Sequence, residues 1–138
     1  MKRYRVFNHT ADLGVYFYGP TPADVFRNAG LSLPRLLMDR PPRRGREKRF
    51  LEVDGTDRED LLIRWLSELL YIFNVKRLVA TDLEDATLEP GLWRAGLVLA
   101  PFDLKSHGLK HDMKAATYHD PEFRPVRTGW RARVVFDL

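Results

Sequence analysis

Three places in the chain hold residues whose types and spacing could do chemistry. His9, Thr10 and Asp12 put an imidazole, a hydroxyl and a carboxylate into one short polar turn. At the far end Asp137 precedes Leu138, so a side-chain carboxylate is followed directly by an α-carboxylate. If the last strand lies beside the first hairpin, Asp12, Asp137 and the Leu138 carboxylate converge as oxygen ligands. A cluster of that kind selects calcium, magnesium or manganese over zinc, because hard cations prefer oxygen donors. The plainer alternatives are a turn in which Thr10 and Asp12 satisfy neighbouring amides, and a solvated chain end. The third place is Lys114, Thr117, Tyr118 and His119, with His107 and His111 upstream. On a strand Lys114 and Tyr118 share one face and Thr117 and His119 the other, so all four meet only across a bulge. Lys114 could pair with the acidic site or contact a phosphate; otherwise it balances Asp112.

A basic segment follows the first third of the chain, with Arg40, Arg43, Arg44, Arg46, Lys48 and Arg49. Arg43, Arg44 and Arg46 could graze an RNA backbone in a transient contact, although no aromatic residues interleave there for base stacking; simple solvation is the alternative. Two further functional readings stay open on chemistry alone. One is a metal-dependent phosphoester hydrolase using Asp12, His9 and His119 around a metal-bound water. The other is a free-standing RNA-binding module.

Composition narrows these choices. There is no cysteine, which removes disulfides, thiolate nucleophiles, iron–sulfur clusters and thiolate zinc sites. A formal net charge of +4 is compatible with an anionic partner but equally with solubility. No run of about 18 apolar residues could span a bilayer, and the start MKRYRVFNHT lacks the apolar core of a secretory signal. The expectation is a cytoplasmic protein with no membrane contact. The 138 residues suit one domain, 1–138.

The elements that must position these residues follow from periodicity. Residues 4–7 and 13–18 read as strands, with Leu13, Val15 and Phe17 on one face. Thr21, Pro22 and Asp24 supply an N-cap, a first-position proline and an early acid for a helix, which Pro34 should bend or end. The loop 39–46, with two prolines and a glycine, should be mobile. A strand over 47–53 precedes a helix capped by Thr56 and Glu59, whose stripe Leu62, Trp65, Leu66, Leu69, Leu70 and Phe73 must be buried. Residues 78–88 and 92–99 flank a turn at Glu89, Pro90 and Gly91. A strand over 111–119, a loop holding Pro121 and Pro125, and a strand over 130–137 close the chain. The expected class is α+β: a two-layer sandwich with an about seven-stranded, mostly antiparallel or mixed sheet and two main helices on one face.

With these residues laid out, the chain resembles the archease family across nearly its whole length. HTADLGVYFYG (residues 9–19) is similar to the family's HTAD-x-G segment. The run from Asp60 through Tyr71 resembles its central helix, and KAATYH (114–119) with VVFDL (134–138) its C-terminal signature. The resemblance implies an accessory factor, not an enzyme, that activates an RtcB-type RNA ligase in tRNA splicing and RNA repair. Such a factor promotes ligase guanylylation and repeated turnover. It further implies a divalent cation, described in the family as calcium, on Asp12, Asp137 and Leu138. Lys114 matches the family's functional lysine, and His9 and His119 fall in the same signature segments. The chain departs from many relatives at Ala100, Pro101, Phe102 and Asp103, where a Gly-Glu pair is common.

Overall fold

The computed structural model describes residues 2–9 and 11–138, with the main chain only at residues 8 and 9. The first hairpin joins β1 (Tyr4–His9) to β2 (Asp12–Gly19), longer at both strands than expected. Leu13, Val15 and Phe17 are buried, as their alternation required. Helix α1 (Pro22–Leu37) starts as read: the Thr21 hydroxyl accepts from the Asp24 amide at 3.2 Å and the Asp24 carboxylate accepts from the Thr21 amide at 3.2 Å. Of the bend or end expected at Pro34, the end does not occur: the helix runs through it to Leu37. The missing N–H forfeits one bond to the Gly30 carbonyl, a disruption of roughly 3 kcal/mol. Burial of Leu33, Leu36 and Leu37, at about 1.5–3 kcal/mol each, outweighs it.

The loop 39–46 is anchored rather than mobile. The Arg40 amide donates to the His107 carbonyl at 2.8 Å and the Arg46 amide to the Leu99 carbonyl at 3.0 Å. The Gly45 amide donates to Thr81 Oγ1 at 2.9 Å. Main-chain amides thus hold a segment whose prolines and glycine disfavour helix and strand alike. Strand β3 (Glu47–Asp54) then leads to α2 (Arg58–Tyr71), which is capped one residue later than read. Asp57, not Thr56, accepts from the Asp60 amide at 2.8 Å, and Asp60, not Glu59, reaches back to the Thr56 amide at 2.9 Å. The predicted stripe from Leu62 to Phe73 is buried throughout. A π-helical turn, Ile72–Lys76, extends α2 and stops at Arg77 in the left-handed region, φ 56°.

Strands β4 (Leu78–Glu89) and β5 (Leu92–Pro101) form the expected hairpin, with Gly91 at φ 73° taking the conformation that favours glycine. A short helix, α3 (Leu104–His107), interrupts the following loop. Strand β6 runs over Ala115–Val126, starting later than expected and continuing through Pro121 and Pro125, and β7 spans Gly129–Asp137. The prolines are tolerated because β6 is an edge strand, and Asp120, at φ 50°, sits in a register shift between Thr117 and Glu122.

Among the described residues the seven strands form two antiparallel sheets, β1-β2-β7-β6 and β3-β5-β4. The class is α+β, with the seven strands divided between two sheets. Helix α1 packs on β2 and β4, and α2 on β6 and β3, so each helix touches both sheets. One apolar cluster joins all of these elements. At its centre Trp65 meets Trp93 edge-on, with centroids 5.5 Å apart, and its indole N–H donates to the Phe26 carbonyl at 2.9 Å.

Candidate functional site at the paired ends of β2 and β7

Asp12 opens β2 and Asp137 closes β7, and the antiparallel register sets the two directly opposite one another. The next pair inward, Leu13 and Phe136, is buried at 6% and 0% exposure. That burial pins the register, because a slip of one residue would turn every side chain on β7 to the other face. Alternation then carries both carboxylates onto the face opposite the core, with Asp12 half-buried and Asp137 exposed. Directly opposed residues have Cβ atoms about 4.5–5.5 Å apart, within reach of one cation.

Asp137 is the meeting point of three strands. It pairs with Ala115 on β6, and its carbonyl accepts the Lys114 amide at 2.9 Å. Lys114 therefore lies just outside β6, with an exposed side chain. On the other side Asp12 pairs with His9 of β1. The His9 side chain and Thr10 lie outside the described residues. Ala11, at φ 63°, adopts the left-handed conformation that lets the hairpin turn tightly. Among the described residues no third Asp, Glu or His side chain joins the Asp12–Asp137 pair in a metal-holding group. The donor set is two side-chain carboxylates with main-chain oxygens and the Leu138 carboxylate nearby. Its chemistry fits a hard cation that keeps water ligands and not a nitrogen- or sulfur-bound metal.

His119 lies four residues beyond Ala115, in the stretch of β6 that shifts register against β7. Its amide donates to Thr117 Oγ1 at 3.3 Å and its carbonyl accepts from Arg133 at 3.4 Å.

Sequence reasoning missed a second polar centre. The Asp60 carboxylate accepts the Tyr118 hydroxyl at 2.7 Å, the Thr56 amide at 2.9 Å and the Arg64 Nε–H at 3.2 Å. The Tyr118 bond foremost, then the Thr56 amide, holds the Asp60 carboxyl down at about 2, and the same bond raises the Tyr118 phenol. No local spacing links positions 60 and 118. Arg43, Arg44 and Arg46 are exposed, and Arg43 joins Arg3, Arg35 and Arg40 around a cleft of about 740 Å³.

The model of the Archease protein family (MTH1598/TM1083) matches residues 4–138. Protein archease of Methanosarcina barkeri is 35% identical, covering 99% of this chain and 97% of its own. Protein archease of Pyrococcus abyssi is 32% identical over the whole of both chains. The solution structure of Methanobacterium thermoautotrophicum protein 1598 superposes with a TM-score of 0.78 at 29% identity, covering 100% of both chains. A Thermotoga maritima crystal structure, described as an archease and possible chaperone, shares the fold at TM-score 0.59 and 18% identity, covering 96% of this chain and 94% of that one.

Proposed function

The chain belongs to the archease family, and on that premise we propose that it is an accessory protein that activates an RtcB-type RNA ligase. In this reading it promotes guanylylation of the ligase and lets the ligase turn over repeatedly during tRNA splicing or RNA repair, in the cytoplasm. It does not itself catalyse a reaction. The observation that carries the reading is the register that sets Asp12 opposite Asp137, with the Lys114 main chain bonded to the same residue.

Asp12, Asp137 and the α-carboxylate of Leu138 would hold a divalent cation, calcium before magnesium or manganese, because the donors are all oxygen. Such an ion, when bound, offsets the repulsion between the opposed carboxylates and presents a positive centre to a phosphate or nucleotide of the ligase. Lys114 stands beside the pair and can reach outward to the ligase. His9 and His119 belong to the same ligase-facing end of the sheet in this reading, His119 acting further along β6. Arg43, Arg44 and Arg46 supply a transient RNA contact, since all three are exposed. Among the described residues no helix is long and apolar enough to cross a membrane.

The test is guanylylation of a cognate ligase with and without this protein, across calcium, magnesium and manganese. Stimulation should vanish in Asp12→Ala and Asp137→Ala while both variants stay folded at the assay temperature. Full stimulation by both variants, or none by the unaltered protein, overturns the reading.

A further inference from the structure

The face of the four-stranded sheet turned away from the helices carries a chemistry that the ligase reading leaves unused. Leu13, Val15 and Phe17 on β2 and Ala132, Val134 and Phe136 on β7 enter the core. Alternation therefore turns Tyr16, Tyr18, Arg131 and Arg133 outward on the two central strands. The register lines them up across the sheet, with Arg5, Tyr16 and Arg133 in one row and Phe7, Gly14 and Val135 in the next. The Phe7 ring lies over Gly14, where a side chain would collide with it. That close approach brings the Phe7 and Tyr16 rings to 4.7 Å between centroids.

Guanidinium groups alternate with these rings. Arg5 and Arg131 lie 4.9 and 4.5 Å from the Tyr16 centroid, and Arg133 lies 4.9 Å from that of Phe7. The Arg5 Nε–H donates to the Tyr18 hydroxyl at 3.4 Å. The Nε–H of Arg131 is buried and has no hydrogen-bond partner among the described residues. Beyond the Asp12–Asp137 row, Arg5, Arg124, Arg131 and Arg133 on this face stand against Glu122, which Arg124 and Arg131 share at 3.5 Å each. The face is thus cationic and lined with aromatic rings and guanidinium groups in contact.

We propose that this face binds a short single-stranded RNA segment, its bases stacking on the ring and guanidinium planes and its phosphates meeting the arginine charge. Phosphates alone would need no rings, and an acidic protein surface would need none either; only a ligand with both flat bases and anionic linkers uses everything present. The loop of Arg43, Arg44 and Arg46 has the charge without the rings. The inference rests on the rows of β1, β2 and β7 and stands whether or not Asp12 and Asp137 hold a cation.

The experiment is a fluorescence-anisotropy titration of the full-length protein with a labelled single-stranded RNA of roughly twelve nucleotides, within the usual site size of such surfaces. Binding should be saturable, and its logarithm should fall against log salt with a slope near −2, for about three phosphate contacts at roughly −0.7 each. Arg131→Gln combined with Arg133→Gln should weaken it about tenfold, and the surface-exposed Arg5→Gln about threefold, with each variant still folded at the titration temperature by circular dichroism. The triple Arg43→Gln, Arg44→Gln, Arg46→Gln variant, which removes only the transient loop contact, should lose clearly less than the Arg131 and Arg133 pair. Inorganic polyphosphate of equal charge should compete poorly. Absence of binding, loss in the loop variant with retention in the sheet variants, or equal displacement by polyphosphate would each overturn the proposal.

Discussion

The Tyr118 hydroxyl donates a 2.7 Å hydrogen bond to Asp60 Oδ1, tying edge strand β6 to the first turn of α2 across 58 residues. The same carboxylate receives the Thr56 amide and the Arg64 guanidinium, so one side chain joins a helix start, a salt bridge and a strand. Both partners fall in segments that resemble family signatures. The hydrogen bond explains why those segments belong together: each holds the other in place.

Tyr118→Phe should therefore destabilise the fold by about 1 kcal/mol, the usual worth of a hydrogen bond to a charged but partly solvated group. It should also flatten the acid limb of stability. The Asp60 carboxyl sits at about 2 in the folded protein against an ordinary value of 3.8. A depressed folded value means its contribution is complete above the unfolded value and disappears as pH falls through the folded one. Urea midpoints measured from pH 5 down to pH 2 should drop more steeply for the unaltered protein than for Tyr118→Phe. Parallel curves would refute this account of Asp60.

Gly30→Ala should cost about 1–3 kcal/mol, although the same change on an exposed helix face is stabilising by roughly 1 kcal/mol. A Cβ at position 30 meets Trp65 Cζ2 at 2.7 Å. That ring cannot retreat, because its N–H is held by the Phe26 carbonyl and Trp93 lies on its other side. Thermal unfolding followed by circular dichroism decides the sign.

Asp12→Asn and Asp137→Asn should each relieve the repulsion of like charges on opposed positions in the cation-free protein. Calcium should raise the melting temperature of the unaltered protein, by an amount equivalent to about 2.7 kcal/mol at a hundredfold excess over the dissociation constant, and a chelator should reverse it. Neither variant should respond. A calcium shift that survives in both places the ion elsewhere.

Lys114→Ala should lower ligase guanylylation about tenfold, the scale of one charge-assisted contact, without moving the melting temperature. Its side chain is exposed, and its structural bond to Asp137 is made by the main chain, which the substitution keeps. A lower melting temperature with normal stimulation would instead make Lys114 a structural residue.

Much of the fold was legible in short stretches of sequence, because the forces that shape those stretches are local. The Thr21, Pro22 and Asp24 cap, the buried stripe of α2 and the hairpin at Pro90 and Gly91 each need only neighbours a few residues apart. Where reading failed, a distant partner had overruled a local preference. Pro34 stays helical because the core holds Leu33, Leu36 and Leu37; Pro121 and Pro125 stay in β6 because nothing pairs with its outer edge. The loop 39–46 is held by amides bonding to β4, β5 and α3, which composition does not disclose.

The residue types at the candidate site were visible from the start: two acids near opposite ends, a lysine in an expected strand, arginines in excess. Their arrangement was not. That Asp12 faces Asp137 depends on β2 pairing with β7 in one register, and that register is set by Leu13 and Phe136 seeking the core. The ladder of Arg5, Tyr16, Arg131, Phe7 and Arg133 draws on three strands, so no linear stretch contains it. Side-chain periodicity in a strand tells which face a residue takes, a property of the sequence by itself. Which residues become neighbours across the sheet is decided only when long-range burial selects the strand order.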